Sequence, residues 1–134
     1  MTSDKKFLHS DITNLILQAF YTVHNSFPYG IALDILKRSL IIECDLLGLK
    51  TEVDKEIQIR YKDKIVGSFV IDLVVNDSVI VTIFKDEILN DTNVELVKNQ
   101  LRLTEYEVCL ILNFVLEGEH KRLFFTNDLK NKKI

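Results

Sequence analysis

Apolar residues at Ile12, Leu15, Ile16, Ala19, Phe20 and Val23 recur at steps of three and four, which gathers them into one stripe of a helix from Asp11 to Ser26. Ser10 or Asp11 is the expected N-cap. Phe27-Pro28-Tyr29-Gly30 ends this helix, because Pro28 disfavours helix in the residue before it and Gly30 accepts positive φ. A second helix is predicted from Ile31 to Leu47, with Leu33, Leu36, Leu40, Cys44 and Leu47 on its apolar face and Gly48 as its C-terminal stop.

Beyond Gly48 the period changes to two. Val53, Ile57, Ile59 and Tyr61 sit among Glu56, Gln58 and Arg60, the pattern of a half-buried strand. A turn at Lys62-Asp63-Lys64 leads into Ile65 to Val75, and a tight Asn76-Asp77 turn leads into Ser78 to Phe84. These two runs are almost continuously apolar and need cover on both faces, which helices provide. A third helix is predicted from Asp91 to Thr104, then strands from Glu107 to Phe114 and from Arg122 to Thr126. The order α-α-β-β-β-α-β-β predicts an α/β domain, a mixed sheet of about five strands flanked by three helices.

Composition narrows this reading. The 134 residues suit one domain, expected over 1–134 with a short flexible N-terminus (1–9) and a basic C-terminal tail (127–134). Hydrophobic residues make up 47% and charged residues 28%, with four Gly and one Pro, which excludes a disordered or low-complexity chain. Seventeen Lys plus Arg against twenty Asp plus Glu leave a net charge of −3, so no global positive field exists to hold a nucleic acid. Cys44 and Cys109 sit among apolar neighbours and read as reduced, inert core residues. The first residues carry Asp4, Lys5 and Lys6 and no apolar run, and no apolar stretch is long enough to span a bilayer. A soluble, intracellular and cytoplasmic protein is expected; a cleaved organellar address would leave no trace.

The order of elements, together with Val23-His24, the Phe27-Pro28-Tyr29-Gly30 turn, Gly48-Leu49, Ile71-Asp72-Leu73-Val74-Val75, Val79-Ile80-Val81 and Leu110-Ile111-Leu112-Asn113-Phe114, resembles the GxxExxY family of the PD-(D/E)XK nuclease-like superfamily over roughly Asp11 to Phe125. The resemblance implies a restriction-endonuclease-like fold and metal-dependent phosphodiester cleavage. Magnesium takes carboxylate oxygens and water, so an Asp and a Glu on adjacent strands hold it, and a lysine activates the attacking water. All three must share a face, which is why the acid and the lysine are separated by one residue.

Most of that chemistry is missing. Asp72 matches the metal-binding aspartate, the one candidate ligand retained. Thr82-Ile83-Phe84 stands where the resemblance implies acid-x-lysine, so a hydroxyl and a phenyl ring replace the second ligand and the lysine. Lys85 is one residue along, a shift that turns a side chain to the opposite face. Leu33 and Leu36 stand at the glutamate and tyrosine of the name motif. Asp34 is displaced by about 100° around the helix, toward solvent, leaving Leu33 and Leu36 for the core. Leu96 and Gln100 stand at the glutamine and tyrosine of the third helix, and Thr22 replaces an acid before Val23-His24. The losses share a chemistry, and they predict a former site filled with hydrophobic side chains, each contributing roughly 1.5–3 kcal/mol on burial. No catalytic residue and no cofactor is expected; Mg²⁺ enters only if the site has been rebuilt around Asp72.

For Asp72 two readings stand side by side: a residual metal ligand, or a carboxylate satisfied by Thr82, a backbone amide or a lysine. The second is preferred, because one ligand seldom holds Mg²⁺. His9, His24 and His120 lack ligand spacing and read as structural. Lys85-Asp86-Glu87 reads as the solvated end of a strand, with a migrated lysine and acid pair as the sharper alternative. Lys121, Arg122, Lys130, Lys132 and Lys133 form the one basic segment, a frayed tail or an arm for nucleic acid or an acidic protein. No aromatic residue is interleaved with Lys130 to Lys133 for base stacking, which favours the tail. The expected function is therefore an inactive nuclease-like module with a protein partner, as a homo-oligomer or a subunit of an assembly. A mean hydropathy of +0.10 suits an apolar patch that a partner covers. The alternative is a nucleic-acid binder or a weak Mg²⁺-dependent nuclease.

Overall fold

The computed structural model describes residues 8–85 and 89–130. Its elements are α1 (Ser10–Ser26), α2 (Leu33–Leu46), β1 (Thr51–Tyr61), β2 (Lys64–Val75), β3 (Val79–Lys85), α3 (Asp91–Arg102), β4 (Val108–Phe114) and β5 (Glu119–Phe124). The class is α/β, in the order that the alternation of periods predicts. The sheet runs β1-β2-β3-β4-β5, with β3 and β4 parallel and the other neighbours antiparallel. A parallel pair needs a crossover connection, and α3 supplies it. Among the described residues no helix is long and apolar enough to cross a membrane.

Helices α1 and α2 cover one face of the sheet. Ile16, Phe20, Val23, Leu36, Leu40 and Cys44 pack there against Leu73, Val75, Val81, Ile83, Leu110 and Leu112. Helix α3 covers the other, where Val97 and Leu101 meet Ile71, Val74, Ile80, Cys109 and Ile111. With cover on both faces, β4 is buried along its whole length. Both cysteines are buried free thiols. Burial, with the Glu43 charge adding to it, pushes the Cys44 thiol up to about 11. Burial pushes the Cys109 thiol up to about 12, against a bond from Thr82 and with the Asp72 charge adding.

Several boundaries differ from expectation. The N-cap of α1 is His9, in the left-handed region at φ 57 and with no side-chain cap, rather than Ser10 or Asp11. Helix α2 begins two residues late, and the Ala32 carbonyl takes its first N–H groups, from Ile35 and Leu36. Strand β5 begins at Glu119, because its pairing with Asn113 through Val108 defines it rather than any apolar alternation of its own. Leu8 packs on the α1/α2 core and its carbonyl accepts from the Arg122 guanidinium. Asn127–Leu129 forms a 3-10 turn, anchored by Asn127 N–H to the Glu107 carboxylate at 2.7 Å.

Two tight turns organise the first three strands. Lys62 and Asp63, the two-residue loop between β1 and β2, take positive φ, and so do Asn76 and Asp77, which with Ser78 make the three-residue loop between β2 and β3. Between β1 and β2 the register slips once, so that Ile59 faces Gly67 and Arg60 faces Ile65, leaving Val66 as an extra residue. Between β2 and β3 only Leu73, Val74 and Val75 are paired, with Val81, Ile80 and Val79. Beyond Leu73 the two strands part, and Lys64 to Ile71 continues with β1 as its one strand neighbour among the described residues.

Candidate active site

Asp72 stands where β2 and β3 part. Its Oδ2 accepts the Ile83 N–H at 2.9 Å, so a side-chain carboxylate satisfies a donor that the parting strands would otherwise leave orphaned. Its Oδ1 lies 3.8 Å from Lys37 Nζ, and the same ammonium is 2.5 Å from Oδ1 of Asp54. Lys37 comes from α2, one turn after Leu33. Asp54 comes from β1, between Val53 and Lys55, whose neighbours on β2 are Leu73 and Ile71; this places Asp54 opposite Asp72. Asp54 is kinked to φ 52, which a short polar side chain tolerates. Two carboxylates facing each other across strands repel, and the Lys37 ammonium between them removes that repulsion. Lys37 is 18% exposed, which keeps this charge only partly screened.

On the α3 side, the Thr82 hydroxyl donates to Gln100 Oε1 at 3.2 Å and lies 3.8 Å from Cys109 Sγ. Two of the altered positions therefore meet as a polar pair. Phe84 packs into the α3-side cluster, and Leu36 is buried against α1 and β-sheet residues of the opposite cluster. Leu33 is 38% exposed and Leu96 is 64% exposed. The expectation of one site filled by all these side chains, with Leu33 in the core, is thus corrected. Leu33 is the first residue of α2, at the open end of its stripe, and Leu96 lies off the Val94, Val97, Leu101 stripe that α3 buries.

Asp34 is exposed and pairs with Arg38 at 3.1 Å. The Thr22 hydroxyl turns back to the Gln18 carbonyl at 2.8 Å. Lys85 lines a cavity of about 290 Å³ with His24, Tyr29, Leu36 and Phe114, on the α1/α2 side. Asp86 and Glu87 lie outside the described residues. His24 donates from Nε2 to the Val115 carbonyl at 2.9 Å, which ties α1 to the loop after β4. His120 Nδ1 meets the Tyr21 hydroxyl at 2.9 Å.

The basic segment is dispersed. Lys121 is exposed, Arg122 is held by the Leu8 carbonyl, and Lys130 donates to the carbonyls of Thr104 at 3.0 Å and Tyr106 at 2.6 Å. Burial pulls the Lys130 ammonium down, against the nearby charges of Glu107 and Glu105. Lys132 and Lys133 lie outside the described residues. Among the described residues, no three His, Cys, Asp or Glu side chains stand close enough to hold a metal ion. Lys37 and Asp54 escaped the sequence reading; the signal for Lys37 was its place one turn beyond Leu33.

A mixed sheet whose second and third strands part at an aspartate, with helices on both faces, makes this an α/β domain. A family model described as the PD-(D/E)XK nuclease superfamily matches residues 10–123, and the chain belongs to that superfamily. Among solved structures, one described as "Crystal structure of SSO0001" is similar at 17% identity and a TM-score of 0.49, over 69% of this chain and 50% of the other. The chain thus spans half the length of that protein. No curated protein matches the sequence.

Proposed function

We propose that this domain is a catalytically inactive PD-(D/E)XK fold of the GxxExxY type, kept as a structural or protein-interaction module. The observation that carries the reading is Lys37: its ammonium stands against both Asp54 and Asp72, where a hard dication would need their oxygens. The remaining donors do not fit such an ion either. Thr82 is tied to Gln100, and Phe84 replaces the lysine that would activate water. Asp72 has backbone work of its own at Ile83. No hydrolytic step follows from this set.

A second reading has one observation in its favour: two carboxylates and a lysine converge, the residue types of a rebuilt Mg²⁺-dependent nuclease. Calorimetric titration with Mg²⁺ and Mn²⁺ separates the two. The inactive reading expects no binding heat from the wild type or from Asp72→Asn. Wild-type binding that disappears in Asp72→Asn overturns it.

A further inference from the structure

We infer that the outer half of β2 is a docking edge for a second copy of this chain, paired antiparallel about a two-fold axis through Ser68. The inference rests on the interaction-module reading and names its partner. From Lys64 to Ile71 the β3-side edge of β2 has no strand partner among the described residues. Such an edge is a row of unpaired N–H and C=O groups, the template on which another strand adds. The exposed apolar residues on it are Ile65, Val66 at 63% and Val70 at 54% exposure.

The sequence of this edge selects its own copy. Val66-Gly67-Ser68-Phe69-Val70 is symmetric in size and polarity about Ser68, except that Gly67 stands opposite Phe69. Antiparallel pairing about Ser68 sets Val66 against the second copy's Val70, Gly67 against its Phe69, and Ser68 against its Ser68. Opposed residues share a face, so each Val66 meets a Val70 of the other copy, one apolar pair on either side of the central serines.

Gly67 supplies an independent argument. A strand glycine costs stability against alanine, because it loses more conformational freedom on folding. Among the described residues nothing in a single copy asks for it: its φ is outside the left-handed region, a Cβ added there would meet none of them within 4 Å, and the extra residue of the nearby bulge is Val66. The open space over Gly67 is where the second copy's Phe69 ring lies. Charge agrees at the ends of the window. Pairing carries Lys64 toward the second copy's Asp54 and Asp72, two carboxylates against one resident ammonium. A two-fold axis makes each of these contacts twice, as an isologous interface requires.

The experiment is sedimentation and light scattering on the full chain over a concentration series. A species of twice the 15.6 kDa chain mass is expected. Replacing Val66 and Val70 together by Lys should return the monomer mass with unchanged circular dichroism, since both are exposed in one copy. As a second readout, Ser68→Cys should form an intermolecular disulfide under mild oxidation, because residues directly opposite in an antiparallel pair have Cα atoms about 4.5–5.5 Å apart. Gln58→Cys, on the neighbouring strand of the same copy, should not. A wild type that stays monomeric, a double variant that stays dimeric, or equal cross-linking in the Gln58→Cys and Ser68→Cys variants overturns the inference. The metal titration fails separately: a monomer without metal binding leaves the inactive reading intact, and a dimer that binds Mn²⁺ through Asp72 leaves the dimer intact.

Discussion

The two halves of β2 are built from the same kinds of residue and live in opposite surroundings. Leu73, Val74 and Val75 are buried between helices, as is Ile71 just across Asp72, whereas Ile65, Val66 and Val70 farther out stand largely in solvent. The dividing point is Asp72, where β3 leaves. The contrast teaches that an apolar strand becomes core only where neighbours close over it. The same β-branched side chain contributes packing energy on one side of Asp72 and recognition surface on the other.

The largest effect belongs at the sealed end. Leu110→Ala in β4 should cost about 2–5 kcal/mol in a urea titration, from lost burial plus the cavity left behind. Alkaline pH tests the same region without mutation. Both thiols have folded values raised above the ordinary 9.0, so the stability they contribute is complete below pH 9.0 and is lost as pH climbs through about 11 for Cys44 and about 12 for Cys109. Stability above pH 9.0 should fall less steeply in Cys109→Ala than in the wild type, read by urea midpoints at each pH.

At the dividing point the expected effects are intermediate. Asp72→Ala leaves the Ile83 N–H without its acceptor and should cost about 1–3 kcal/mol, while Asp72→Asn keeps an accepting oxygen and should cost less. An equal loss in both would mean that the Lys37 ion pair, rather than the Ile83 bond, sets the energy. Lys37→Ala should cost up to about 1 kcal/mol, and the cost should grow at low salt, where Asp54 and Asp72 repel unscreened. At the open end, Val70→Thr should shift monomer stability by no more than about 0.5 kcal/mol in thermal melts under dissociating dilution. A large loss there would erase the contrast between the halves.

Much of this was legible in the sequence. The helix stripes, the change of period after Gly48 and the two hairpin turns are local signals, and local structure follows them. Strand β5 was less legible because Leu123 is its one buried residue; pairing with β4 makes it a strand. The site was half legible. Asp72 and Thr82 were found by position, but the partner of Asp72 was hidden by the slip near Val66. Counting register back from the Lys62-Asp63 turn, Tyr61 with Lys64 and Arg60 with Ile65, would set Asp54 opposite Ile71. One extra residue restores Asp54 to Asp72, and a displacement of one residue is the difference between two faces. Leu33 and Leu96 were misplaced for a related reason: helical spacing says which residues share a stripe, and it does not say how far the sheet extends beneath that stripe.

Strand β4 sits inside the sheet although it comes next to last among the α-helices and strands. A chain emerging from the ribosome has both hairpins and all three helices in hand before the strand that completes β3 exists. Until Val108–Phe114 is synthesised, Val79, Val81 and Ile83 line an open apolar edge. The parallel pairing that closes it is non-local and intrinsically slow. The vulnerable moment of this protein is therefore during its own synthesis, and premature termination within α3 would release a product that aggregates through β3 rather than a shorter folded domain.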